Sequence, residues 1–189
     1  MQLLQTIHGA TVAIPDDDRL VHLQFRRFAG CPVCSLHLRS FVRRHEELVA
    51  AGVREVVVFH SPDDELRTYA GDLPFAVVAD PEKRLYVEYG VESSPRSLLN
   101  PRAWPGIVKA VLVAAVAVAL RRQKLPPLKP SGGRLGLPAD FLIRSDGHTI
   151  AHKHGTHAND HWSVDEVLRL AESPQPGEHD VGDPIGSAR

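Results

Sequence analysis

Cysteine is scarce in this chain of 189 residues: it has two, set two residues apart as Cys31-Pro32-Val33-Cys34. Two cysteines cannot build the disulfide scaffold of a small secreted protein. An excess of either charge is missing as well. The formal net charge is -1, so no basic field points to nucleic acid or an anionic membrane surface as a partner. No apolar run reaches the roughly 20 residues needed to cross a bilayer. The longest, residues 107–120, is interrupted by Lys109, preceded by Pro105 and Gly106, and followed by Arg121 and Arg122. Its Val and Ala content suits a buried or partner-facing helix, not a membrane span. The opening Met1-Gln2-Leu3-Leu4-Gln5 has neither a basic stretch nor a long apolar one, so a cytoplasmic location is expected. A second cysteine pair, an organic-cofactor motif and an internal repeat are all absent from the sequence, and no cofactor is expected. The rest, 43% hydrophobic and 24% charged, has the balance of a globular protein long enough to bury a substantial core.

The spacing of the two cysteines carries the chemistry. A strand-like run, residues 21–28, leads into them and a helical pattern follows. A cysteine at a helix N-terminus meets the positive end of the helix dipole, which favours its thiolate. A second thiol two residues on can resolve whatever forms on the first. Cys31 is therefore predicted to be the more exposed, lower-pKa nucleophile and Cys34 the more buried resolver. A half zinc site and inert structural thiols are the competing readings, and a zinc site lacks its remaining ligands.

Around this motif the pattern alternates. Residues 7–14 predict a short hairpin turning at Gly9, and a helix runs from Pro32 to about Ala51 with Gly52 as its stop. Residues 55–60 and 75–80 read as buried strands, with helices starting near Ser61 and Pro81. Residues 92–137, which hold the apolar run and a return rich in Pro, Lys and Gly, read as an insertion. Strands 140–144 and 149–154 then form a hairpin. Ser163 begins a last helix, with Glu166 completing a capping box. Residues 173–189 predict a disordered tail. The domain is thus expected over residues 1–172. Its class is α/β, a mixed central sheet flanked by helices, with an N-terminal hairpin and a helical insertion before the last hairpin.

Three further groups bear on the motif. Arg26 and Arg27 precede it on opposite strand faces, so at most one should approach the thiols and favour a thiolate. Both on the surface is the alternative. His37 lies one turn after Cys34 on the same helix face, either near the site or facing solvent. His148, His152, His154, His157 and His161 crowd one stretch, but no carboxylate or cysteine is fixed among them and no metal is expected. Asp160 and His161 are expected to position the loop entering the last helix.

The segments HLQFRRFAGCPVCSLHLR (22–39), EVVVFHSPDDEL (55–66), LPFAVVADPEKRLYVEYGV (73–91) and LPADFLIRSDGHTIAHKHGTHANDHWS (137–163) resemble the AhpC/TSA group, most closely its peroxiredoxin-like branch with CxxC. The resemblance implies a thioredoxin-like fold and dithiol or peroxidase chemistry. It also implies that Pro138 matches the cis-proline that thioredoxins hold opposite CxxC, and that a homodimer can form. Aligned with the peroxidase motif, Cys34 takes the peroxide-attacking place and Cys31 the threonine's. The arginine that peroxidases carry just before the late core strand has no counterpart beside Phe141, and Arg134 is the nearest upstream.

The function expected is a thiol-disulfide oxidoreductase or antioxidant protein cycling Cys31 and Cys34, supported by Pro32, Pro138, Arg27 and His37. Its partners would be a protein disulfide or a peroxide, and an external thiol reductant. A peroxide reductase with Cys34 attacking and a non-catalytic redox sensor are the alternatives.

Overall fold

A computed structural model describes residues 1–91, 104–120, 130–133 and 136–173. Its elements are β1 (Gln2–Gln5), β2 (Thr11–Ile14), β3 (Leu20–Arg26), α1 (Pro32–Arg43), α2 (His45–Ala50), β4 (Val53–Phe59), α3 (Asp63–Ala70), β5 (Ala76–Ala79), α4 (Arg84–Glu88), α5 (Trp104–Ala119), β6 (Ala139–Ile143), β7 (Thr149–His154) and α6 (Val164–Glu172). Five strands form one sheet in the order β5-β4-β3-β6-β7. β3, β4 and β5 run parallel, as strands joined by helical crossovers must. β6 and β7 return antiparallel. This is the mixed sheet flanked by helices that the sequence predicts.

β3 sits at the centre and alternates in an unusual way. Val21, Leu23 and Phe25 face an apolar cluster with Val56, Val58, Leu85, Tyr86 and Phe141. His22, Gln24 and Arg26 point to the opposite side, equally without exposed surface. That side is covered by Phe41 of α1, Leu66 of α3, and Trp162 and Val167 at α6. The capping box forms as predicted, with the Glu166 N–H donating to Ser163 Oγ and the Ser163 N–H to the Glu166 carboxylate.

Several boundaries differ from the sequence reading. The first hairpin pairs Gln2–Gln5 with Thr11–Ile14, not residues 7 onward. Its loop spans Thr6 to Ala10, with Gly9 at φ +84°. Ile7 turns inward instead, and its N–H donates to the Val77 carbonyl of β5 at 2.9 Å. β3 stops at Arg26, and Phe28 packs in the core as part of the turn. The long helix breaks at Arg44 (φ -116°, ψ 22°). There the guanidinium pairs with Glu47 at 2.8 Å and with Asp165 at 2.5 Å.

The apolar run forms α5. It lays Ala110, Ala114 and Ala117 inward, on the helix that packs along α1. Small side chains at this spacing let two helix backbones approach closely. Val108, Val111, Leu112 and Val116 stay exposed on the other faces. Among the described residues no helix is long and apolar enough to cross a membrane. The rest of the predicted insertion (92–103, 121–129 and 134–135) and the predicted tail from residue 174 lie outside the described residues.

Candidate active site

The parallel strands β3 and β4 end side by side, and the thiols stand at that end. Gly30 takes φ +75°, a conformation glycine adopts without strain, and turns the chain into α1. The Ala29 N–H donates to Ser61 Oγ at 2.9 Å, tying this turn to the segment after β4. Cys31 is the N-cap residue and Pro32 opens the helix, where no N–H is required. The Cys31 side chain makes no cap bond to the backbone, and its carbonyl accepts from Ser35 N at 2.9 Å.

Both cysteines are free thiols and both are buried, Cys31 at 1% and Cys34 at 4% exposure. This corrects the expectation that Cys31 is the open sulfur. Position in the helix decides which thiol ionises, and exposure does not. Cys31 is lowered first by the hydrogen bond from Cys34, which outweighs burial; the Arg27 charge and the N–H groups of Cys34 and Val33 add to it. Cys34 is raised well above the ordinary thiol, first by its bond to Cys31 and then by burial. A thiol that donates to a neighbouring thiolate becomes harder to ionise as its neighbour becomes easier.

Arg27 is the arginine that reaches the site, with Nη1 3.9 Å from Cys31 Sγ. Neither arginine is a surface residue. Arg26 runs to the opposite side. It donates to Asp140 Oδ1 at 2.7 Å, to Gln24 Oε1 at 2.6 Å and to His37 Nε2 at 3.0 Å. His22 lies between Glu55 (2.9 Å) and Asp140 (3.3 Å). His37 is therefore buried, with its ring against that of His161, 3.5 Å between centroids and tilted by 39°. Burial, then the charges of His161, Arg26 and His22, hold it far below the ordinary histidine range. This array joins α1 to β3, β4 and β6 beneath the thiols. Its signal in the sequence is the alternation His22, Gln24, Arg26 within an otherwise apolar strand, matched by lone acids at Glu55 and Asp140.

Tyr86 also escaped the sequence reading. Its single hydroxyl proton is shared between the Arg26 carbonyl and the Val58 carbonyl, the latter at 3.1 Å, bridging the ends of β3 and β4. Asp80 holds it there by accepting from the N–H groups of Arg84, Leu85 and Tyr86 at the start of α4.

Pro138 is buried at the entry to β6, and its carbonyl accepts from Gly155 N at 2.8 Å. The Leu137–Pro138 bond is trans, against the expectation of a cis-proline; among the described residues the cis bond is Ile14–Pro15. The chain enters β6 already extended, with Gly155 packed on the proline ring. Arg134, the nearest arginine upstream of β6, lies outside the described residues.

The histidines after β6 do not converge. His152 and His154 lie 5.7 Å apart by ring centroid beside Phe141, while His161 belongs to His37. Among the described residues no three His, Cys, Asp or Glu side chains come together as a metal site would require. Asp160 accepts from Thr156 N and Oγ1 and pairs with Lys153 at 2.8 Å, which orders the loop into α6.

Solved structures share this architecture. Peroxidoxin BcpB from Mycobacterium tuberculosis is similar with a TM-score of 0.61 and 14% identity over 92% of this chain and 93% of that one. Peroxiredoxin 6 of Arenicola marina has a TM-score of 0.64 and 15% identity over 91% of this chain and 69% of that one. The exposed lipoprotein thioredoxin Etrx1 from Streptococcus pneumoniae has a TM-score of 0.53 and 17% identity over 90% and 96%. At these identities the likeness shows the thioredoxin-like fold alone. No curated protein matches the sequence. The profile of the AhpC/TSA antioxidant enzymes matches residues 40–157, from the second half of α1 to the loop before α6. That stretch is more than half of the chain, and on it the chain belongs to the AhpC/TSA antioxidant enzyme family.

Proposed function

We propose that this thiol-dependent oxidoreductase cycles Cys31 and Cys34 between dithiol and disulfide, with Cys31 attacking first. One observation carries the reading: two thiols in one helical turn, one pushed down by its neighbour's hydrogen bond and by Arg27, the other pushed up. The Cys31 thiolate attacks one sulfur of a substrate disulfide, forming a mixed disulfide and releasing the other sulfur as a thiolate. The Cys34 proton goes to that leaving thiolate. Cys34, now ionised, attacks the Cys31 sulfur, releases the second substrate sulfur as a thiolate and closes the internal disulfide. Two electrons have then passed to the substrate, and an external thiol reductant returns them.

In this cycle Arg27 stabilises the thiolate and Pro32 sets the first helical turn. His37 anchors α1 through Arg26. Pro138 supports the entry to β6. The dithiol state suits a reducing cytoplasm, and the exposed apolar side chains of α5 suit a homodimer.

A small hydroperoxide as the oxidant is the second reading, favoured by the burial of both sulfurs. Cys31 then takes the hydroxyl, the alkoxide leaves with the Cys34 proton, and Cys34 displaces hydroxide from Cys31, which takes a proton to become water.

Alkylation with mass spectrometry, before and after mild oxidant, tests the cycle. One intramolecular Cys31–Cys34 disulfide should form, and insulin disulfide should be turned over with a thiol reductant present. Two freely alkylated cysteines after oxidant would overturn the dithiol mechanism.

A further inference from the structure

His60 has no part in the cycle above, yet it follows β4 directly with no exposed surface; neither ring nitrogen has a hydrogen-bond partner of good geometry, and the polar backbone of His60 and Ser131 bears on the ring. Burying unpaired polar atoms opposes folding, and an apolar side chain of similar size would avoid that cost. Its surroundings supply a reason for the imidazole. The His60 N–H donates to the Arg27 carbonyl at 3.2 Å, locking the end of β4 to the end of β3. Its ring meets Tyr86 edge-on, with centroids 5.8 Å apart. A Cβ added to Gly136 would stand 3.1 Å from His60 Nε2 and 3.7 Å from Arg27 Cγ. The bare backbone of Gly136 therefore lies over the imidazole and the arginine stem together. A Cβ on Gly132 would fall 2.6 Å from His60 Nδ1. Gly132 is itself held by Lys83, whose Nζ donates to its carbonyl at 3.0 Å. Beyond this slot the Arg27 guanidinium reaches Cys31 Sγ at 3.9 Å.

We propose that His60 is a positioning residue: seated with the stem of Arg27 under Gly136, it holds the guanidinium beside the Cys31 sulfur. The proposal rests on the reading in which Cys31 is the attacking thiol. A neutral ring at this place adds no negative charge next to the cation, whereas a carboxylate would offset the charge that favours the thiolate. Burial first, then the charges of Lys83 and Arg27, bring His60 down to about 4, so it is neutral at ordinary pH. The groups bearing on His60 are Arg27 at the end of β3, Lys83 and Tyr86 at α4, and the backbone of Ser131, Gly132 and Gly136. Those bearing on Cys31 are Cys34 from α1 and Arg27.

The test uses the full chain with Cys34→Ser, in which a hydroxyl stands in for the donating thiol and one thiol titrates. The rate of alkylation by iodoacetamide against pH gives the thiolate midpoint. It is measured in this parent, in His60→Ala, Gly136→Ala and Arg27→Gln, and in Arg27→Gln combined with His60→Ala. Melting temperature is followed throughout. His60→Ala and Gly136→Ala should both move the midpoint upward, towards that of Arg27→Gln. Below the parent midpoint alkylation should slow by about three- to tenfold, within the range a neighbouring cation commands. The combined variant should be no slower than Arg27→Gln alone, because both changes act through one guanidinium. A merely structural His60 would lower the melting temperature and leave the midpoint in place, and that result overturns the proposal. Full addition of the two shifts overturns it as well. If His60→Ala does not fold, a folded Gly136→Ala with the parent midpoint has the same force. An unmoved midpoint in Arg27→Gln would reject the role of Arg27 itself, and the proposal with it, while insulin turnover would still report on the dithiol cycle.

Discussion

Replacing His22 by glutamine should remove a contribution of about 3 kcal/mol that the wild type loses between neutral and alkaline pH. His22 lies on β3 with no exposed surface, its Nδ1 2.9 Å from Glu55 Oε2 and its Nε2 3.3 Å from Asp140 Oδ1. Burial by itself would push the imidazole down. The Glu55 charge, the hydrogen bonds to Asp140 and Glu55 and the Asp140 charge outweigh it, and raise His22 from 6.5 to about 9. A group that binds its proton more tightly when folded stabilises the fold in full below its unfolded pKa. That stability is lost as pH rises through the folded pKa. The window here therefore opens at 6.5 and closes near 9. At about 1.4 kcal/mol for each unit between those values, the proton contributes about 3 kcal/mol. Urea unfolding near the two ends of the window, in wild type and His22→Gln, measures it. The wild type should lose about 3 kcal/mol more than the variant across that range, and the variant should be the less stable of the two at the acidic end. The Cys31 thiolate adds stability over the same range in both proteins and cancels in the comparison, so a difference between wild type and variant that stays constant across the window would refute a protonated His22. Should the variant not fold, direct titration of the His22 ring by nuclear magnetic resonance decides the point: a ring that deprotonates near 6.5 contradicts the argument.

Arg26→Met leaves the Asp140 carboxylate buried without its guanidinium, and equilibrium unfolding should register a loss of about 3–5 kcal/mol. Cys31 should be alkylated before Cys34 near neutral pH, as peptide mapping after a short pulse of iodoacetamide would report; the reverse order would move the attacking role to Cys34. Ser163→Ala removes the capping hydroxyl from α6 and should cost about 1 kcal/mol in a urea titration. Ala114→Leu places a larger side chain between α5 and α1 and should cost about 1–3 kcal/mol by overpacking. Val116→Glu on the exposed side should be neutral for folding in the same titration and should dissociate the proposed homodimer in light scattering.

The CxxC motif and its place at the start of α1 were legible in the sequence, because the helix-terminal position of a thiol follows from local order alone. Apolar alternation likewise located the core strands and helices, and Ser163 with Glu166 marked the start of α6. Those features depend on residues near one another in the chain. Pairing across the sheet does not, and it decided the rest. Arg26 and Arg27 are indistinguishable as neighbours in sequence. Only the antiparallel register of β6, which sets Asp140 opposite Gln24, gives Arg26 an acid to bury against, while the turn into α1 carries Arg27 to the sulfur. Tyr86 reached the site because Asp80 capped α4, and His60 because β4 ends beside β3. Exposure of Cys31 was read wrongly since burial is a sum over elements that the motif does not contain. Pro138 took the trans form where it leads directly into β6, and a long-range strand ladder leaves no local signature.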